Sequence, residues 1–90
     1  MINKSLTIND LLIQLAQEDI SGYSIVDYWD ADIMAIGMQK GNVLIYISAF
    51  DYNNTNHYSI IIEELGTGKI LKPEEKTLYN GLVNSIQNFF

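Results

Sequence analysis

The sequence predicts an α+β fold: an N-terminal helix, a four-stranded antiparallel meander and a C-terminal helix, with both helices on one sheet face. Apolar residues recur at helical spacing near each end, short β-rich runs fill the middle, and turn residues separate those runs. Because the 90 residues include 48% hydrophobic ones, we expect a single domain, residues 1–90, built around one core.

The first helix is expected to begin at Thr7, since threonine is a good N-cap, and to end at Ser21-Gly22. Its apolar stripe comprises Ile8, Leu11, Leu12, Leu15 and Ala16. Polar residues fill the positions between them, which is typical of an amphipathic helix with one buried face.

The second helix is expected to begin at Pro73, because proline suits the first helical position. Glu74 and Glu75 would then lie in the first turn, where the helix dipole favours negative charge. The apolar stripe of this helix comprises Leu78, Leu82, Ile86 and Phe89.

Four β-rich runs are expected to form the strands, and the short turns between them favour hairpins. The runs span residues 23–29, 33–38, 43–50 and 57–64. In the third run, the alternate residues Val43, Ile45, Ile47 and Ala49 form an aliphatic set that we assign to the helices. The other set, Leu44, Tyr46, Ser48 and Phe50, is expected on a sheet face that nothing in the chain clearly covers.

The charge of the chain narrows the classes of partner. Eleven acidic residues face five lysines, there is no arginine, and the net charge is −6. Such a chain repels nucleic acids and anionic membranes, so we expect a neutral or basic protein as partner. With no cysteine and no apolar run near the roughly 20 residues of a membrane span, we expect a cytoplasmic protein.

Catalytic and metal-binding motifs are incomplete. Residues 66–69 (Gly-Thr-Gly-Lys) lack the other residues of a phosphate-binding loop. Asp27, Asp30 and Asp32 lack calcium-loop spacing, and turn capping explains Asp30 and Asp32. The lone His57 has no nucleophile arranged with it. We therefore predict no catalytic residues, no metal and no cofactor; an enzyme using Asp27 and His57 would require a pocket.

Aromatic residues interleaved with aspartates are the remaining feature. Most aromatic residues in a small domain pack in the core or pair across strands. The alternative is an interface in which carboxylates surround aromatic anchors. The candidate partner-binding residues are Asp27, Trp29, Asp30, Asp32, Tyr46, Phe50, Asp51 and Tyr52.

The chain resembles two groups of inhibitors. Residues 6–12 (Leu-Thr-Ile-Asn-Asp-Leu-Leu), the turn at Gly41-Asn42, the closing helix and the acidity are similar to those of small phage anti-CRISPR inhibitors. The same features resemble bacterial immunity proteins that neutralise nuclease toxins. The resemblance implies an acidic protein that mimics DNA against a nuclease, with loop aspartates as the contacts.

We therefore predict a non-enzymatic protein-binding module that masks a basic, nucleic-acid-binding surface of its partner. The alternative is a homodimeric or small-ligand-binding domain, in which the open sheet face would pair with itself and bury Tyr46 and Phe50. Direct binding to nucleic acid or to a membrane is not expected in either case.

Overall fold

A computed structural model describes residues 4–29 and 31–90 of the chain. Its elements are α1 (Leu6–Leu15), β1 (Ser24–Val26), β2 (Ala35–Lys40), β3 (Val43–Ser48), α2 (Tyr52–Thr55), β4 (Tyr58–Glu64), β5 (Ile70–Thr77) and α3 (Tyr79–Phe89). Within these residues, the strands form one antiparallel sheet of five in the order β1-β2-β3-β4-β5. The α+β class and the helix near each end are confirmed, but the prediction of four strands was wrong by one.

The segment from 70 to 77 is a strand, so the prediction that a helix begins at Pro73 was wrong. Gly66 and Gly68 adopt positive φ values of 90° and 72° and turn the chain back beside β4. Proline is tolerated in β5 because this is an edge strand, where a missing N–H leaves no partner unbonded. The last helix therefore begins at Tyr79.

The ends of α1 also differ from the prediction. Ser5, not Thr7, is the N-cap: its Oγ accepts a hydrogen bond from the Ile8 N–H at 3.3 Å. The helix ends at Leu15, and tighter turns follow, such as the bond from the Gln17 N–H to the Gln14 carbonyl. The polar stretch after Ala16 has no apolar stripe to hold a longer helix against the core.

The β2–β3 hairpin forms around the expected turn, in which Gly41 has a φ of 58°. Its strands pair in register from Ala35 opposite Ser48 to Lys40 opposite Val43. Pairing along the whole hairpin explains why β2 begins and ends two residues later than predicted.

One face of the sheet packs against the helices, and we call it the helix face. Alternate strand residues point to the same side, so the register defines this face by Ile36, Met38, Ile45, Ile47, Ile60 and Ile62. These side chains are buried in one cluster with apolar residues of α1 and α3: Ile8, Leu11, Leu15, Leu82, Val83 and Ile86. The aliphatic set of β3 therefore packs as the sequence predicts.

The opposite side, which we call the outer face, carries Gly37, Leu44, Tyr46, Ile61 and Glu63. Among the described residues, none of the helices has the length and apolar character needed to cross a bilayer.

Candidate binding surface on the outer face

The indole of Trp29 lies on the outer face. Its ring centroid is 4.8 Å from that of Tyr46, with the planes 72° apart, which is a favourable edge-to-face arrangement. Gly37 makes this approach possible. A Cβ there would lie only 3.0 Å from Cζ3 of Trp29 and 2.9 Å from Cγ2 of Val26. The expectation that nothing in the chain covers this face therefore needs correction, because Trp29 partly covers it.

Lys4 holds the segment that carries Trp29. Its side chain is fully buried, and its Nζ lies 2.8 Å from Oδ1 of Asp27. The same ammonium donates to the backbone carbonyls of Trp29 at 3.0 Å and Asp32 at 2.8 Å. Since an ammonium has three N–H donors, all of them are used. The chain therefore leaves β1 after Val26 instead of continuing to Trp29 as predicted.

Tyr28 adds a third ring beside Trp29. Its hydroxyl donates a hydrogen bond of 2.8 Å to Oε1 of Gln39, and its ring centroid is 5.8 Å from that of Trp29. The Tyr28 side chain is otherwise exposed. The indole thus lies between two tyrosines and above a glycine.

A shallow groove of about 380 Å³ borders this indole on the outer face. Its lining residues, which define what we call the outer groove, are Trp29, Tyr46, Ile61, Glu63 and Glu74. Tyr46 pairs directly with Ile61 across β3 and β4. The groove therefore combines aromatic and aliphatic walls with two carboxylates.

A β-bulge at the sheet edge lies where Glu74 reaches the groove. The flanking pairs of the β4–β5 ladder are Ile60 with Glu75 and Ile62 with Lys72. Two residues, Pro73 and Glu74, therefore lie opposite the single residue Ile61. A bulge leaves one extra residue without a ladder bond, and proline has no N–H to leave unpaired.

The loop aspartates predicted as partner contacts are engaged within the chain. The contacts are Asp27 with Lys4 Nζ at 2.8 Å, Asp32 Oδ1 with the Met34 N–H at 2.9 Å, and Asp51 Oδ2 with Lys76 Nζ at 2.6 Å. The hydrogen bond to Asp51 raises the pKa of the Lys76 ammonium. Asp30 lies outside the described residues.

Glu63 and Glu74 differ from those aspartates, because neither forms a salt bridge with any residue the structure describes. Sequence reasoning missed both as partner contacts. Glu74 was placed in a helix, and its position depends on β5 being a strand. Strand alternation could have identified Glu63 from the sequence, since this residue pairs with Leu44 and therefore lies on the same face as Tyr46.

The other two candidate aromatic residues, Phe50 and Tyr52, do not line the outer groove. Phe50 follows β3 and is 77% exposed. Tyr52 packs against the core, with its ring centroid 4.8 Å from that of Tyr58, and it lines a small depression beside α1. Burial is the main reason that the pKa of Tyr58 is raised well above its usual value. The structure thus brings Trp29 and Tyr46 together, and Tyr52 lies on the helix side.

Within residues 4–29 and 31–90, no three acidic or histidine side chains converge to form a metal-binding group. His57 precedes β4, and its backbone N–H donates to Oγ1 of Thr55. No family model, curated protein or solved structure matches this chain. The chemistry of the outer face is therefore the basis for a functional inference.

Proposed function

We propose that this protein binds a basic protein through its outer face and masks a nucleic-acid-binding surface of that partner. One observation carries the proposal: the Trp29–Tyr46 ring pair adjoins two carboxylates, Glu63 and Glu74, that have no salt-bridge partner among the described residues. The helices pack on the other side of the sheet.

The two kinds of residue would contribute differently to binding. Aromatic anchors in the centre of an interface supply most of the binding energy. Carboxylates mainly speed encounter with a positively charged surface and orient it, and the net charge of −6 acts in the same direction. Trp29 and Tyr46 are therefore the proposed anchors, and Glu63 and Glu74 the proposed charged contacts.

Most of the other partner contacts predicted from the sequence are kept in the proposal, outside the groove. Asp27, Asp32 and Phe50 are retained at the margin, and Asp30 stays a prediction from sequence. Asp51 also stays at the margin, since it pairs with a lysine just as Asp27 does. Tyr52 is not retained, because it packs on the helix side. The proposed role is non-catalytic and cytoplasmic, and it resembles that of the acidic inhibitors named above.

The test uses the whole protein immobilised beside a variant with both anchors removed, Trp29→Ala/Tyr46→Ala. Basic proteins retained from a lysate of the source organism by the wild type alone are identified and purified. We expect the wild-type protein to block duplex DNA binding by the purified partner, and the variant to block it at least about tenfold less effectively. Ile13→Ala, which alters an exposed apolar residue on α1, should behave as the wild type.

Two results would contradict the proposal. The first is a purified partner whose DNA binding is unchanged by saturating wild-type protein. The second is sedimentation of the wild type at micromolar concentration as a dimer insensitive to salt and abolished by the anchor variant, because the outer face would then serve self-association. Pairing of β5 edges is disfavoured by the charges and proline of that strand: Lys72, Pro73, Glu74, Glu75 and Lys76.

A further inference from the structure

The outer groove has the composition of a site for an organic cation. Trp29 and Tyr46 offer aromatic surface, Ile61 is a half-buried aliphatic side chain, and Glu63 and Glu74 supply negative charge. The faces of aromatic rings attract cations, and tryptophan does so most strongly. Two carboxylates on one groove also repel each other until a cation lies between them.

No lysine lines the groove. Four of the five lysines have partners elsewhere: Lys4 with Asp27, Lys40 with the Phe90 carbonyl, Lys72 with Glu75 and Lys76 with Asp51. The remaining one, Lys69, is exposed in the turn before β5. A positive charge supplied by another molecule would complement this lining.

Arginine fits this lining better than lysine. Its planar guanidinium stacks on aromatic rings and donates paired hydrogen bonds to carboxylates, whereas an ammonium is a compact and strongly hydrated point charge. At about 380 Å³, the groove has room for such a side chain and part of its backbone. An arginine of a basic protein also agrees with the proposed partner, because arginine is enriched at nucleic-acid-binding surfaces.

We infer that the outer groove receives an arginine side chain of the partner, with the guanidinium beside Trp29 and Tyr46 and in contact with Glu63 and Glu74. This inference rests on the proposed function and specifies its central contact. The groove would then recognise the same side chain that the partner uses to bind phosphate groups.

Three short peptides that differ in one residue test this assignment. All residues but the central one are uncharged. The central residue is arginine, lysine or citrulline, and citrulline keeps the shape of arginine without its charge. Binding is followed by NMR through the indole N–H of Trp29 and the methyl groups of Ile61. We expect the arginine peptide to shift both signals and to bind about tenfold more tightly than the citrulline peptide, with lysine between them.

Paired variants with the same change in net charge separate a local effect from a general one. Glu63→Gln/Glu74→Gln should reduce arginine-peptide binding about tenfold. The control Asp10→Asn/Asp19→Asn removes two exposed carboxylates outside the groove and should leave binding almost unchanged. Should the double glutamine variant fail to fold, Glu74→Gln alone changes only an exposed edge residue and should still weaken binding severalfold.

The possible failures are distinguishable. Equal binding of the arginine and citrulline peptides, or equal weakening by both double variants, would overturn the groove assignment. So would a lysine peptide that binds as tightly as the arginine peptide. The proposed function would survive these results if a purified partner still depended on Trp29 and Tyr46. It would fall if that partner kept its DNA binding in the presence of the wild type, whatever the peptides showed.

Discussion

The buried ammonium of Lys4 lies 2.8 Å from Oδ1 of Asp27, and this ion pair joins the start of α1 to the end of β1. The same ammonium bonds to the carbonyl of Trp29. The position of the indole on the outer face therefore depends on a contact made by the residue that precedes the N-cap of α1. Asp27, selected from sequence as a partner contact, also has this structural role.

Replacing Lys4 with methionine tests this link, because methionine keeps an apolar stem and removes the three hydrogen-bond donors. Leaving the carbonyls of Trp29 and Asp32 without that donor should cost on the order of 1–3 kcal/mol of unfolding free energy. Trp29 is the only tryptophan, so its fluorescence emission should shift to longer wavelength as the indole loses its support. Urea unfolding followed by fluorescence measures both effects.

The matched control is Lys69→Met, which removes the same charge from an exposed turn. Its stability should stay within about 0.5 kcal/mol of the wild type, with unchanged emission. If both lysine variants gave the same small loss, Lys4 would not be what holds the Trp29 segment in place.

Gly37→Ala should displace the indole. The added methyl group would lie 3.0 Å from Trp29 Cζ3 and 2.9 Å from Val26 Cγ2, and Val26 is branched at Cβ with little freedom to move. We expect a loss of about 1–3 kcal/mol from overpacking, together with weaker partner binding. Thermal unfolding and the partner assay measure the two effects.

A double-mutant cycle identifies the cause of that loss. In the background Trp29→Ala, the space left by the indole should reduce the cost of Gly37→Ala. A cost that is equal with and without the indole would assign the strain to Val26 or to Leu44, whose Cδ1 lies 3.2 Å from the added methyl position.

Alkaline pH should destabilise the protein through Tyr79, whose hydroxyl donates a 2.6 Å hydrogen bond to Oε2 of Glu18. Burial and then this hydrogen bond raise the pKa of Tyr79 from 10.0 to about 12. Because the folded state favours the protonated phenol, its contribution is complete below about pH 10 and is lost as the pH rises towards 12. The unfolding free energy should therefore fall across this range.

Urea unfolding at stepped pH, with tyrosinate absorbance recorded in parallel, measures the effect. Tyr79→Phe should make the decline shallower, since it removes the titrating group. Glu18→Gln should move the titration of Tyr79 to lower pH, because it removes the carboxylate charge that disfavours the tyrosinate. An unfolding free energy that is level from pH 10 to 12 is the contrary outcome.

Phe50→Ala should affect binding and leave stability intact. The side chain is 77% exposed, so truncation should change the unfolding free energy by no more than about 0.5 kcal/mol. Loss of an apolar contact at the margin of the proposed surface should weaken partner binding severalfold. Ile13→Ala, at an exposed position on α1, is the control, and equal effects of the two variants on affinity would remove Phe50 from the surface.

Features that repeat along a continuous segment could be predicted from the amino-acid sequence. Helical spacing identified the stripe through Leu82 and Ile86, and strand alternation placed Tyr46 opposite the aliphatic set of β3. These patterns are readable because the geometry of helices and strands sets which residues share a side.

The composition of the outer groove depends on contacts between segments that are distant in the chain. The charged run around Pro73 suits both the first turn of a helix and an edge strand, and pairing with β4 decided between them. Trp29 reaches Tyr46 because Gly37 leaves space for the indole and Lys4 donates a hydrogen bond to the carbonyl of Trp29. These residues are distant in sequence. Such contacts depend on how the whole chain closes, which no local periodicity encodes.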